Sequence, residues 1–213
     1  MKSAAGLALP TLGVSGTWQH AATIGKRGWA LRITRPGFAS PSGYASSRFN
    51  PGNLSAPGFE TLYLALGRDV ALREKRAVFG DPSGTPPELV AGSRLFTSKV
   101  IDVDVDLRSV VDLTDVTSHG LLGTSAQELT GDWEGYGQRA SAGPSVVLNA
   151  PVGPAPTQDL GRELFGERGV EGVKYISAKV PVTCCLVVFT HKLQRPGSIS
   201  WHDPNTGQRE SYP

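Results

Sequence analysis

One glutamate stands where a carboxylate is costly. In the stretch Asp69–Phe79, Val70, Ala71, Glu74, Ala77 and Val78 fall at i, i+1, i+4, i+7 and i+8, the spacing of one stripe on a helix. Four of the five are apolar. A lone carboxylate among them is unfavourable unless it is paired or has a chemical task; the alternative is an edge position with a local salt bridge. Asp102, Asp104 and Asp106 alternate with Ile101, Val103, Val105 and Leu107. Three aspartates raise the question of a metal. A calcium loop also needs glycine at its sixth position and glutamate at its twelfth, and Leu107 and Leu113 stand there, so a solvated strand face is the better account. His20, His119, His191 and His202 lack metal-ligand spacing and are read as structural or surface residues. Cys184 and Cys185 are adjacent within the apolar run Val182–Phe189 and read as buried structural thiols. The chain has no phosphate-binding G-x-x-x-x-G-K-[ST] loop, no G-x-G-x-x-G after a strand, no H-E-x-x-H and no G-x-S-x-G. A Ser–His–Asp triad assembles in space, and nothing in the sequence argues for one.

The elements that must position these residues follow from pattern. Residues 1–28 read as an irregular or lightly helical lead-in. Trp29–Thr34 is a short strand, closed by Arg35-Pro36-Gly37. Residues 36–58 are dense in Pro, Gly and Ser and form a long loop, a kind that in compact domains is functional or disordered. Thr61–Leu66 is an apolar strand. Asp69–Phe79 is a helix with Asp69 as its N-cap, and the scattered Arg68, Arg73, Lys75 and Arg76 form a solvated face. Thr97–Leu107 is a half-buried strand. Pro156–Phe165 is a helix capped by Thr157 and ended by Gly166 or Gly169. Val173–Lys179 and Val182–Thr190 are strands, and residues 194–213 form a polar, turn-rich, peripheral tail. The sum is an α+β fold in a single compact domain, with the core domain at 29–193.

Bulk properties narrow the function. The 213 residues favour one domain and bury a sizeable core. Hydrophobic content of 39% and charged content of 19% exclude wholesale disorder. A formal net charge of +2 with no dense Lys/Arg block argues against direct nucleic-acid binding. No apolar run approaches the ~18 residues that cross a bilayer. Ala4–Pro10 is shorter than a signal-peptide core, so a cytoplasmic protein away from membranes is expected.

The central stretch carries a resemblance. Gly43-Tyr44-Ala45-Ser46-Ser47-Arg48-Phe49-Asn50-Pro51-Gly52 precedes Leu62-Tyr63-Leu64-Ala65, which precedes Ala71-Leu72-Arg73-Glu74. This resembles the RES family, in which a Gly-rich segment runs into G-R-[WF]-N-P-x-G, then a Y-L-[AS] strand, then a helix bearing a glutamate. The family's strand arginine matches Arg32 in Leu31-Arg32-Ile33. Its late serine matches Ser177 in Tyr175-Ile176-Ser177-Ala178-Lys179, ahead of Leu186-Val187-Val188-Phe189. Val110–Asp115, Leu121-Leu122-Gly123 and Pro156-Thr157-Gln158 fit in order and spacing, so the resemblance spans about residues 29–190. It departs in two places. Ile33 stands where an aromatic residue often follows the strand arginine, and Ser46-Ser47 stand where the family has Gly-Gly.

The resemblance implies an ADP-ribosyltransferase-like fold with mixed or antiparallel sheets and short flanking helices. It implies the toxin of a toxin–antitoxin pair that destroys NAD by phosphorolysis or hydrolysis. NAD would be substrate rather than cofactor, inorganic phosphate a co-substrate, and no metal is involved. The partner would be an antitoxin with a helix-turn-helix DNA-binding part, in a hetero-oligomeric complex that pairs two toxins. Arg32, Glu74 and Ser177 would be catalytic, and Arg48, Asn50 and Tyr63 would bind substrate. Breaking the nicotinamide–ribose bond creates an oxocarbenium-like cation that Glu74 would stabilise. Arg32 or Arg48 would fork onto the pyrophosphate. Tyr63 offers a flat face and a hydroxyl, and Asn50 and Ser177 are short polar groups for ribose or phosphate. Each has a structural alternative: a salt-bridged strand residue for Arg32, loop ordering through backbone carbonyls for Arg48, core packing for Tyr63, a turn cap for Ser177, and Asn-Pro turn chemistry for Asn50. Two other functions compete: a mono-ADP-ribosyltransferase acting on a protein through the same site, and a non-enzymatic binding module with a decayed site.

Overall fold

A computed structural model describes residues 1–23, 46–52, 58–75, 98–136, 153–203 and 207–212. The expected strand Trp29–Thr34, Arg32 with it, and most of the loop 36–58 lie outside the described residues.

The longest strand is the one that alternates most strictly. β3 (Ser98–Asp112) buries Ile101, Val103, Val105 and Leu107 and turns Asp102, Asp104 and Asp106 to solvent. One edge of β3 is covered by β1 (Thr11–Thr23), antiparallel from Thr11↔Val111 to Thr23↔Ser98. This corrects the reading of residues 1–28 as an irregular lead-in. The strand hides in the sequence because its outward face is polar: Thr17 donates to Asp104 at 2.6 Å and Gln19 to Asp102 at 3.1 Å. Asp102 and Asp104 are thus partners across two strands, Asp106 pairs with Arg195 at 2.6 Å, and no metal-ligating cluster occurs among the described residues.

The remaining strands are β2 (Thr61–Ala65), β4 (Gly172–Ile176), β5 (Cys184–Phe189), β6 (Ile199–His202) and β7 (Arg209–Tyr212). The pairings β1–β2, β2–β5, β5–β4, β4–β3 and β3–β1 close a circuit of five strands. Among the described strands only β3–β4 is parallel; β6 and β7 extend the sheet from β3. The expected mixed sheet with short flanking helices is therefore present.

β5 is apolar on both faces because both are covered. Leu186 and Val188 join Val103, Val105, Leu107 and Trp201 in one cluster; Cys185, Val187 and Phe189 join a second against the helices. Full burial of each large side chain stabilises by roughly 1.5–3 kcal/mol. Ile199, Trp201 and Tyr212 are buried in the first cluster, so the tail 194–213 is part of the core rather than peripheral. Its strands are only four residues long, too short for a periodic signal.

Helices α1 (Arg68–Glu74), α2 (Val116–Leu122), α3 (Ala126–Thr130) and α4 (Pro156–Gly166) pack outside the circuit. Neither expected cap holds. Gly67 precedes α1 with φ 114°, a conformation that favours glycine, and Asp69 lies inside the first turn. Ala155 is the N-cap of α4, with Pro156 in the first turn, and the Gln158 side chain accepts from the Ala155 amide at 2.9 Å; Thr157 is buried inside the helix. Among the described residues no helix is long and apolar enough to cross a membrane.

Candidate active site

A cleft of about 1180 Å³ opens where β1, β2, α1, the 46–52 turn and the segment after β4 meet. Its sides are built from residues far apart in sequence.

The first side is the junction of α1 with the turn joining β4 to β5. Strand β4 stops at Ile176, earlier than expected, because Ser177 begins a turn closed by Ser177 N–H to the Thr183 carbonyl at 2.9 Å. The Ser177 hydroxyl accepts from Val180 N at 2.9 Å and Lys179 N at 3.2 Å. It donates to Glu74 Oε1 at 2.5 Å. Lys179 N–H also reaches Glu74 Oε1, at 3.2 Å. Ser177 is therefore both a turn cap and the holder of Glu74. Glu74 is the last residue of α1, where the partial negative charge of the helix end disfavours a carboxylate. Two donors on Oε1 offset that cost, and no described residue bonds Oε2. Of the stripe that singled out Glu74, Val70 and Ala71 are buried, and Ala77 and Val78 lie outside the described residues.

The second side is the tight turn Ser47–Asn50. The Tyr63 hydroxyl accepts from Phe49 N at 2.9 Å and is hydrogen-bonded to Ser47 Oγ at 2.8 Å. Burial pushes the Tyr63 phenol above its ordinary pKa, so it stays protonated. Arg48 is buried and donates from Nη1 to the carbonyls of Leu129 (2.9 Å) and Gly131 (2.8 Å). Asn50 donates to the Phe59 carbonyl at 2.7 Å and accepts from Gly52 N at 2.8 Å. Gln158 clamps the turn from α4, reaching Ser46 Oγ and the Ser47 carbonyl, each at 2.9 Å. Beneath it Gly161 has no room for a side chain: a Cβ there would stand 2.0 Å from the Phe49 carbonyl oxygen.

Tyr63, Arg48 and Glu74 thus share one cleft, and Ser177 stands directly behind Glu74. Asn50 lies beneath the turn and off the cleft. Cys185 and Tyr175 form the floor. Burial and the nearby Glu74 carboxylate push the Cys185 thiol far up, which makes it an inert packing group rather than a nucleophile. Burial likewise raises Tyr175.

Three cleft groups escaped the sequence reading. Trp133, with Asp132 and Glu134, lines the wall after α3; Lys75 and Lys179 line it near Glu74; His20 lines it from β1. His20 and Trp133 have no motif around them, and the two lysines stand beside Glu74 and Ser177 without having been singled out. Each reaches the cleft through strand pairing and turn geometry that spacing alone does not reveal.

Comparison with known proteins adds the following. The model of the RES domain family matches residues 21–205. Among solved structures, a chain in the crystal structure of the M. tuberculosis MbcT–MbcA toxin–antitoxin complex is similar in fold. It has 18% sequence identity and a TM-score of 0.54, covering 91% of this chain and 84% of that chain. Among curated proteins none matches.

Proposed function

The chain belongs to the RES domain family, and from that membership we propose that it is the toxin of a toxin–antitoxin pair, acting by cleavage of the nicotinamide–ribose bond of NAD. The observation that carries this reading is the Glu74 carboxylate, held on Oε1 by Ser177 and Lys179 N–H while no described residue bonds Oε2. A fixed carboxylate is what a ribosyl cation requires: it stabilises charge that develops only as the bond breaks. The cleft exceeds the roughly 300–1,000 Å³ of ordinary small-molecule pockets and has room for a dinucleotide. Lys75 and Lys179 offer cations to the pyrophosphate, with Arg32 assigned to the same task, and Arg48, held by two backbone carbonyls, adds its charge from the turn. Tyr63 and Trp133 offer flat faces to its rings. Nicotinamide leaves as a neutral molecule, so no protein nucleophile or metal is needed; phosphate or water attacks.

The fold's likeness to ADP-ribosyltransferases belongs to this proposal. So does the cytoplasmic partner, an antitoxin with a helix-turn-helix part in a paired hetero-oligomer. The fold neighbour was solved in a toxin–antitoxin complex, which supports the partnership. The test is to incubate the antitoxin-free protein with NAD, with and without inorganic phosphate. Loss of NAD with release of nicotinamide is expected. No loss in either buffer would sink the reading, and labelled ADP-ribose retained on a protein would redirect it to a transferase.

A further inference from the structure

We propose that His20 is the general base that activates water in this cleft, which makes hydrolysis, and not phosphorolysis, depend on it. The proposal rests on the NAD-cleaving reading above and assigns a residue that precedes the span matched by the family model.

His20 sits near the end of β1 and lines the cleft together with Glu74 and Tyr63. Its Nδ1 lies 2.9 Å from the Tyr63 carbonyl oxygen. A carbonyl only accepts, so Nδ1 carries the hydrogen and donates. In the neutral imidazole Nε2 then holds the lone pair, and no described residue bonds it. Burial, with the Lys75 ammonium nearby, favours the neutral form. The tautomer is therefore fixed by a backbone group, as a base needs. Glu74 and His20 divide two tasks: the carboxylate faces the developing cation and the imidazole takes a proton.

The step balances. Water's oxygen forms the bond to the ribose anomeric carbon while its proton passes to His20 Nε2. The carbon–nitrogen bond breaks with its electron pair going to the pyridinium nitrogen, which yields neutral nicotinamide. The imidazolium later loses its proton to solvent. A hydrogenphosphate dianion brings its own negative charge and attacks without surrendering a proton, so it has no use for the base.

His20→Asn separates chemistry from scaffolding. Its side-chain amide N–H replaces Nδ1–H toward the Tyr63 carbonyl, while the second nitrogen is gone. ADP-ribose and its phosphate ester are resolved by anion-exchange chromatography for wild type and variant, with and without phosphate. The variant is expected to lose hydrolysis by about 100-fold and to keep phosphorolysis within about threefold. Equal loss of both, or loss of neither, overturns the proposal, as does a wild type that consumes NAD only when phosphate is present. Should the variant fold poorly, wild type alone decides. A solvent deuterium isotope effect on hydrolysis and none on phosphorolysis is expected, and equal effects overturn it. A wild type inert toward NAD in both buffers overturns the proposed function instead.

Discussion

The Glu74–Ser177 junction and the Ser47–Asn50 turn are both small, polar and on the same cleft, yet they spend their hydrogen bonds differently. In the turn the polar groups are turned inward. Both ends of Asn50 bond backbone, the Arg48 Nη1 bonds two carbonyls, and the Tyr63 hydroxyl ties Ser47 to Phe49. At the junction one carboxylate oxygen is anchored and its other oxygen has no described partner. Satisfied buried groups build rigidity; a held group with capacity left over can do chemistry. The difference agrees with the proposed function, in which the turn supports and the junction reacts.

The sharpest way to break this division is Glu74→Gln. Neutralising the carboxylate should lower kcat for NAD cleavage by about 1,000-fold, the scale seen when one charge-stabilising group is removed. The melting temperature should hold or rise, since a helix C-terminus gains by losing a negative charge. A parallel loss of activity and stability would mean that Glu74 is scaffold. Next in size, Gly161→Ala drives a methyl into the Phe49 carbonyl and should cost about 3 kcal/mol in urea unfolding. If stability were unchanged, the turn would not be the rigid member of the pair. Smallest, Ser177→Ala removes one donor from Glu74 and the cap of its own turn. A kcat loss of about tenfold, or ~1.4 kcal/mol, with KM nearly unchanged is expected from steady-state kinetics, alongside a small drop in melting temperature.

How far the sequence reveals this depends on whether a signal is local. The β3 alternation is local, and its buried and exposed sets come out as read. α4 and the doubly apolar β5 are also legible. Glu74 stood out because a charge interrupts an apolar stripe, and it lines the cleft. β1 was not legible: its glycines, threonines and single tryptophan give no strict alternation, and its polar face is satisfied by partners distant in sequence, Asp102 and Asp104 on β3 and the Gly67 amide. Asp69 and Thr157 misled as caps because composition near a helix start does not reveal which backbone turn precedes it. Asn50 was read for substrate, but its turn consumes it. His20 carried no spacing signal, since its partner is a backbone carbonyl supplied by another strand.

β1 has a last consequence. Residues 11–20 precede the matched span, yet they cover most of one edge of β3, from Val111 to Ile101. A fragment cut at the family boundary would leave a long strand with a row of bare amides and carbonyls, a template for pairing with any other chain. The opening residues thus act as a built-in chaperone for the fold, keeping copies of the protein from zipping into one another.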